Sequence, residues 1–447
     1  MSRDMDEVDV LLIGAGPSNI ALAVAMEELG RPPGAGKVVM LEAGACISWH
    51  PGMLFPQAQS QVSFLKDLAT LRNPTSAFTF LNFLHKTGRL DDFVNLQTFF
   101  PYRREISAYL RWCVEQLQAV EVRYSSAVSA IEPLVDDRGR VQRWRAVCLD
   151  GREVMARRVV YGAGRQAHVP EPFCGLGSSR VLHASKFLEQ LGRLEAEQVR
   201  SIAVVGGAQS SAEVYEECIR RFPAARVQLL MRSVGLVPYG GSKFTNALYS
   251  NDFVDSFYDA PEETRSQVLA AMRDSNYAGA TPSTLESLFR FHYLQRMDGQ
   301  DRAQIHTQCS IQLAQVHGDR IAMQWTSGHD GEPCTDSFDL VVLGTGYKNE
   351  LPALLGTALL SLGIDELGVT RNYRASVPCA PGTSLHVLGV NEATHGISDT
   401  LLSVVGFRAK RVLDDMRAEP RPPARLAAAA MPNQTPVHSA APAAVTT

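Results

Sequence analysis

The chain has 447 residues, and 43 lysines plus arginines against 47 aspartates plus glutamates give a formal net charge of −4. A nucleic-acid protein needs a surplus of basic side chains to neutralise phosphates, so this balance excludes that class. With 45% hydrophobic and 20% charged residues, the composition is that of a soluble globular protein and excludes a fibre or a chain disordered throughout.

At about 150 residues per domain the length predicts about three domains. The first residues, Met1-Ser2-Arg3-Asp4-Met5-Asp6, carry acids where a secretory signal needs a basic start and an apolar stretch. No uninterrupted apolar run reaches the roughly 18 residues of a membrane span, and a cytoplasmic protein is expected. The eight cysteines are scattered without a C-x-x-C pair, the pattern of reduced thiols, and the histidines show no metal-ligand spacing.

Residues 8–13 form an apolar run followed by Gly14-Ala15-Gly16-Pro17-Ser18-Asn19, residues 20–29 have helical periodicity, and residues 38–41 form a second apolar run ending at Glu42. This is the pattern of a βαβ unit. Gly14 and Gly16 let backbone N–H groups approach a pyrophosphate at a helix N-terminus, where the dipole favours anions. Asn19 stands where a third glycine belongs, which predicts a slightly wider gap between helix and strand. A carboxylate at Glu42 accepts from ribose hydroxyls and repels a 2′-phosphate, so this site suits FAD or NAD and not NADP.

Residues 60–118 read as polar-aromatic and mostly helical. Residues 120–132 and 140–149 alternate like strands around Asp136-Asp137-Arg138-Gly139, and residues 158–164 form a strand ending in glycines. A second βαβ unit opens at 201–205, with the turn Gly206-Gly207-Ala208-Gln209-Ser210-Ser211, a helix over 212–221 and a strand over 227–231. Here Arg232 follows the strand, and an arginine pairs with a 2′-phosphate, which points to NADPH; the alternative is a solvated arginine. Ala208 occupies the second glycine's place, and its methyl is expected to crowd the pyrophosphate.

Residues 240–297 read as a helical, aromatic-rich insertion. Strands return over 305–325 and 338–343, the latter closing on Gly344-Thr345-Gly346-Tyr347, and a Pro/Ala-rich tail over 420–447 is expected to be disordered. Together these elements predict an α/β protein with two Rossmann-like dinucleotide folds and a smaller helical substrate insertion. The expected division is 1–165 with 338–417 for FAD, 166–239 with 300–337 for NADPH, and 240–299 for substrate. An acid-ended and an arginine-ended fold in one chain imply hydride transfer from NADPH to FAD. Without a cysteine pair to take the electrons, oxygen is the expected acceptor.

Several stretches, in order, carry a family resemblance: Gly14-Ala15-Gly16-Pro17-Ser18-Asn19, Ser48-Trp49-His50-Pro51-Gly52-Met53, Gln61-Val62-Ser63-Phe64-Leu65-Lys66-Asp67, Asn73-Pro74-Thr75-Ser76, Phe244-Thr245-Asn246, Ser275-Asn276-Tyr277 and the run from Thr394 to Ser403. On these the chain resembles the flavin-dependent N-hydroxylating monooxygenases, the L-ornithine N5- and L-lysine N6-monooxygenases of siderophore synthesis. The resemblance implies that Trp49, His50, Gln61, Val128, Thr400, Leu401 and Leu402 join Gly14, Gly16, Asn19 and Glu42 around FAD. It implies that Gln209, Ser210, Arg232, Asn276 and Tyr277 join Gly206 and Gly207 around NADPH. Lys66, Asn246, Asn276 and Ser403 would hold the substrate, Lys66 at the α-carboxylate and Ser403 at the reacting end.

The resemblance further implies a homo-oligomer, and a C4a-hydroperoxyflavin that transfers oxygen to the side-chain amine with no catalytic side chain. L-ornithine leads as substrate, ahead of L-lysine, diaminobutyrate or a diamine. Two departures bear on that choice: Gly240-Gly241-Ser242-Lys243-Phe244 places a cation where an acid is usual, and Gly279-Ala280-Thr281 departs from the ornithine pattern. A flavin monooxygenase acting on another centre and a non-catalytic flavin-binding protein are the alternatives.

Overall fold

A computed structural model of the chain describes residues 6–192, 198–277, 279–328 and 331–418; the expected disordered tail lies outside them. In chain order the strands are β1 (Asp6–Ile13), β2 (Val38–Leu41), β3 (Glu121–Arg123), β4 (Val128–Val135), β5 (Val141–Cys148), β6 (Glu153–Tyr161), β7 (Val181–His183), β8 (Ser201–Val205) and β9 (Arg226–Leu230). There follow β10 (Ala303–His306), β11 (Ser310–His317), β12 (Arg320–Thr326), β13 (Pro333–Phe338), β14 (Leu340–Leu343) and β15 (Ser384–Val387).

The first sheet runs β3-β2-β1-β6-β5-β4, with β15 also beside β6. β1 pairs in parallel with both β2 and β6, and its residues 10–13 are buried on both faces. That double burial is why they read as one apolar run and not as an alternation. β6 shares its other edge: residues 153–156 pair antiparallel with β5, and residues 158–161 pair in parallel with β15. The helix Pro17–Leu29 packs on this sheet and against the C-terminal helix Val405–Arg417, bringing Ile20, Ala21 and Val24 into one core with Ala409, Val412 and Leu413.

The second sheet is wholly parallel, β10-β9-β8-β14-β7, and β11-β12-β13 form a small antiparallel sheet beside it. This corrects the expected division at 338. β14 does not return to the first sheet but lies between β8 and β7. Glycines set its place: a Cβ on Gly206 would stand 2.4 Å from the Gly344 carbonyl oxygen, and one on Gly344 would stand 2.6 Å from Ser211 Cβ. Two glycine turns can meet this closely only without side chains. The return to the first sheet is made by β15 and by the residues beyond it.

The insertion is helical, as its sequence predicts, with helices Lys243–Ala247, Asn251–Asp259, Glu262–Asn276 and Pro282–Met297. Ser242, Ser250 and Thr281 cap three of them through side-chain oxygens. Asp255 ties the insertion to the first sheet's side, accepting from Arg371 at 2.9 Å and from Arg411 at 2.8 Å. No helix among the described residues is long and apolar enough to cross a membrane.

Candidate functional site

The first glycine turn leaves no room for a side chain at Gly14. Gly14 has φ 86°, and a Cβ there would lie 2.7 Å from Ala163 Cα. Gly16 is the N-cap of Pro17–Leu29, with proline at the first helical position and no side chain bonding back to cap the end. Proline lacks the N–H that would need a partner there, and the remaining N–H groups suit an anion. The Glu42 carboxylate is held at the end of β2 by Ala15 N–H at 2.9 Å and Gly44 N–H at 2.7 Å. Asn19 bridges the helix to the end of β1. Fully buried, it donates to the carbonyls of Ile13 at 3.0 Å and Gly14 at 2.8 Å. The room comes from Gly162, where a Cβ would meet the Asn19 amide at 2.6 Å.

At the second turn Gly206 has φ 137°, and a Cβ on Gly207 would meet Ser233 Oγ at 2.6 Å. Ala208 is extended at φ −116°, a conformation that needs no glycine. Its N–H donates to Ser211 Oγ at 3.0 Å, so that donor is already engaged. Gln209 is engaged too, its amide donating to Glu213 at 2.7 Å and Thr284 at 3.2 Å and accepting from Thr281 N–H at 2.6 Å. It fastens the insertion to the second sheet.

Both turns open into one cleft of about 1760 Å³, whose walls include Ser210, Arg232, Trp49, His50, Gln61, Val128, Tyr277, Thr400, Leu401 and Leu402. Five arginines also face it. Arg103 pairs with Glu213, Arg165 with Glu392 and Arg408 with Asp399; Arg232 and Arg273 have no carboxylate partner among the described residues. Arg232 follows β9 and Glu42 follows β2, so one glycine turn is accompanied by a cation and the other by an acid. His50 takes the left-handed conformation at φ 52°, uncommon for a side-chain-bearing residue. Its side chain is exposed to the cleft, and desolvation by the surrounding wall, aided by Arg103, lowers its pKa.

Lys66 and Ser403 meet beside the cleft, Lys66 Nζ donating to Ser403 Oγ at 3.4 Å. Burial lowers the lysine's pKa. The loop carrying Lys66 is pinned by the buried Asp67, which accepts from the N–H groups of Ala69 at 2.9 Å, Thr70 at 2.6 Å and Phe80 at 2.7 Å. Asn246 is exposed and does not reach the cleft wall. Asn276 ends the helix Glu262–Asn276, and its side chain lies outside the described residues.

The segment bearing Thr400 to Ser403 depends on residues the sequence reading missed. Arg408 and Asp399 form an ion pair with side chains 2% and 0% exposed. Asp399 also accepts from Asn391 N–H at 2.8 Å, and Arg408 donates to Ser18 Oγ at 2.6 Å, beside the first turn. A single arginine on an amphipathic helix reads as a solvated face. The one available signal was its position on the face that also carries Val405, Ala409 and Val412.

A sequence profile of the L-lysine 6-monooxygenase/L-ornithine 5-monooxygenase family matches residues 6–349. The chain belongs to that family. A relative from Burkholderia cepacia, an L-ornithine N(5)-monooxygenase, is 35% identical over 401 residues, covering 87% of this chain and 89% of the relative. Among solved structures, the ornithine hydroxylase of Pseudomonas aeruginosa aligns with a TM-score of 0.85 at 33% identity, covering 92% of this chain and 99% of that one. The ornithine N-hydroxylase of Kutzneria sp. 744, in a form with reduced FAD, NADP+ and L-ornithine, aligns at 0.84 and 32% identity, again over 92% and 99%. As a member of this monooxygenase family, the chain is a flavin-dependent N-hydroxylating enzyme.

Proposed function

We propose that the protein uses NADPH, FAD and O2 to hydroxylate N5 of L-ornithine. The observation that carries this reading is the single cleft joining an acid-ended and an arginine-ended glycine turn. The first turn fits FAD: the helix N-terminus at Gly16 has no side-chain cap and leaves its N–H groups to an anion, and Glu42 stands where ribose hydroxyls need an acceptor. The second fits NADPH, because Arg232 has no carboxylate partner among the described residues and is available to a 2′-phosphate. Bound FAD supplies the ability to accept a hydride and to activate oxygen.

The chain's own side chains bind and orient. In the resting state Lys66 rests on the Ser403 hydroxyl, a neutral partner. A substrate carboxylate offers the ammonium a stronger, charge-assisted bond, so Lys66 exchanges one for the other and leaves Ser403 free for the side-chain amine. The apolar walls at Leu401 and Leu402 limit water there. A carboxylate requirement favours amino acids over simple diamines. Product analysis with ornithine, lysine and putrescine tests the reading: hydroxylated ornithine without hydroxylated putrescine supports it, and equal turnover of putrescine removes the role given to Lys66.

A further inference from the structure

At the mouth of the cleft, two side chains from separate segments, Arg165 and Tyr277, converge on one carboxylate oxygen of Glu392. Arg165 begins the connector from β6 toward the second sheet, and its Nη2 donates to Glu392 Oε2 at 2.5 Å. Its Nη1 donates to Asn349 Oδ1 at 2.8 Å, on the connector returning from β14. The two connectors run side by side, with His168 N–H on the Gly346 carbonyl and Lys348 N–H on the Gln166 carbonyl, each at 2.9 Å. From the insertion, the Tyr277 hydroxyl donates to the same Glu392 Oε2 at 2.8 Å, and its oxygen lies 3.4 Å from Thr400 Oγ1. The side chains of Arg165 and Glu392 are only 10% and 13% exposed, although both line the cleft.

A carboxylate left bare in a cleft that must admit phosphates would repel them. Glu392 avoids this because Arg165 neutralises it, while the phenol of Tyr277, a donor at neutral pH, can only donate to it. We propose that Glu392, held by Arg165, is a positioning residue: by accepting the Tyr277 hydroxyl it fixes the end of helix Glu262–Asn276 against Thr400, setting the insertion over the place where the two dinucleotides meet. This rests on the FAD and NADPH reading above.

The test compares Glu392→Gln, Tyr277→Phe and the double variant with the wild type, as FAD-loaded full-length protein. Three quantities are read: hydrogen exchange over residues 262–277, the dissociation constant for NADP+ by titration calorimetry, and the fraction of consumed NADPH recovered as hydroxylated amine. Each single change is expected to speed exchange in that helix several-fold, to weaken NADP+ by about tenfold, the worth of one hydrogen bond to a charged group, and to divert NADPH toward hydrogen peroxide. The double variant is expected to be no worse than either single one, since both remove the same bond. Additive losses, or exchange and NADP+ affinity unchanged in Tyr277→Phe, would overturn the proposal. Tyr277→Phe deletes one oxygen atom and keeps the packing, so it decides the matter even where Glu392→Gln does not fold. A wild type that binds no NADP+ would remove the cleft reading and this proposal together, whereas a wild type that binds it beside unaltered variants removes this proposal alone.

Discussion

Lys66 is the side chain on which the choice of substrate turns, because its ammonium is half-buried and has no carboxylate partner among the described residues. Replacing it with alanine removes one charge-assisted bond to the substrate, so Lys66→Ala is expected to weaken ornithine binding by about tenfold to a hundredfold. Reduction of the flavin by NADPH should stay within a factor of about two, because Lys66 lies outside both glycine turns. Stopped-flow reduction and an ornithine titration read the two effects separately, and equal losses in both would contradict the assignment. Arg232→Ala should narrow the preference for NADPH over NADH, measured as the ratio of kcat/KM values; an unchanged ratio places the 2′-phosphate elsewhere. His395 gives a pH signature. Stacked on Tyr373 at 4.0 Å and facing Asp399, Arg408 and Arg411, it has a pKa lowered by burial from 6.5 to about 4. Above pH 6.5 neither folded nor unfolded chain protonates it; below, the unfolded chain takes up a proton that the folded one refuses. Stability is therefore expected to fall by up to ~3 kcal/mol as pH drops from 6.5 to 4. Urea midpoints at pH 7.5 and 5 should differ less in His395→Phe than in the wild type, and equal differences would contradict the burial of a neutral imidazole.

At the scale of elements, the two βαβ units were legible because continuous apolar runs, glycine turns and periodic helices each obey one local rule. β8 was read residue for residue, and β9 was read one residue late, since Met231 is as buried as the strand it follows. β14 was legible as a strand but not as a member of its sheet. Leu340 to Leu343 are buried whichever parallel sheet they join, and the choice is made by the distant contact of Gly344 with Gly206. The Arg408–Asp399 pair was not legible for the same reason: its partners are brought together by helix packing. Breaking a buried pair leaves an uncompensated charge, so Arg408→Ala is expected to destabilise the fold by about 3–5 kcal/mol and to lower flavin content by loosening the segment at Thr400. Thermal unfolding with a flavin assay checks this, and a variant of wild-type stability would show that Asp399 is neutralised otherwise.

On the scale of the whole molecule, the two halves are clamped across the cleft. Arg103, on the helix Arg103–Glu115, grips Glu213 on the helix Gln209–Arg221 through two hydrogen bonds of 3.0 and 2.8 Å, with side chains only 11% and 6% exposed. The small net charge concealed this arrangement, in which Glu42 and Arg232, each just beyond the C-terminal end of a strand, line one cleft. Their contrast was visible in the sequence; that they share a cleft was not, because it depends on how the two sheets are joined by the connectors at Arg165 and Asn349. Asn246, placed by resemblance at the substrate, lies exposed on a short helix of the insertion, whose position is set by tertiary contacts at Asp255, Gln209 and Tyr277 that no local pattern encodes. The most direct test of the shared cleft is to mix the purified yellow protein with NADPH in the absence of oxygen and follow the flavin absorbance. Complete bleaching, followed on admission of air and ornithine by recovery of the colour and formation of N5-hydroxyornithine, is the predicted result; a flavin that stays oxidised under NADPH would contradict it.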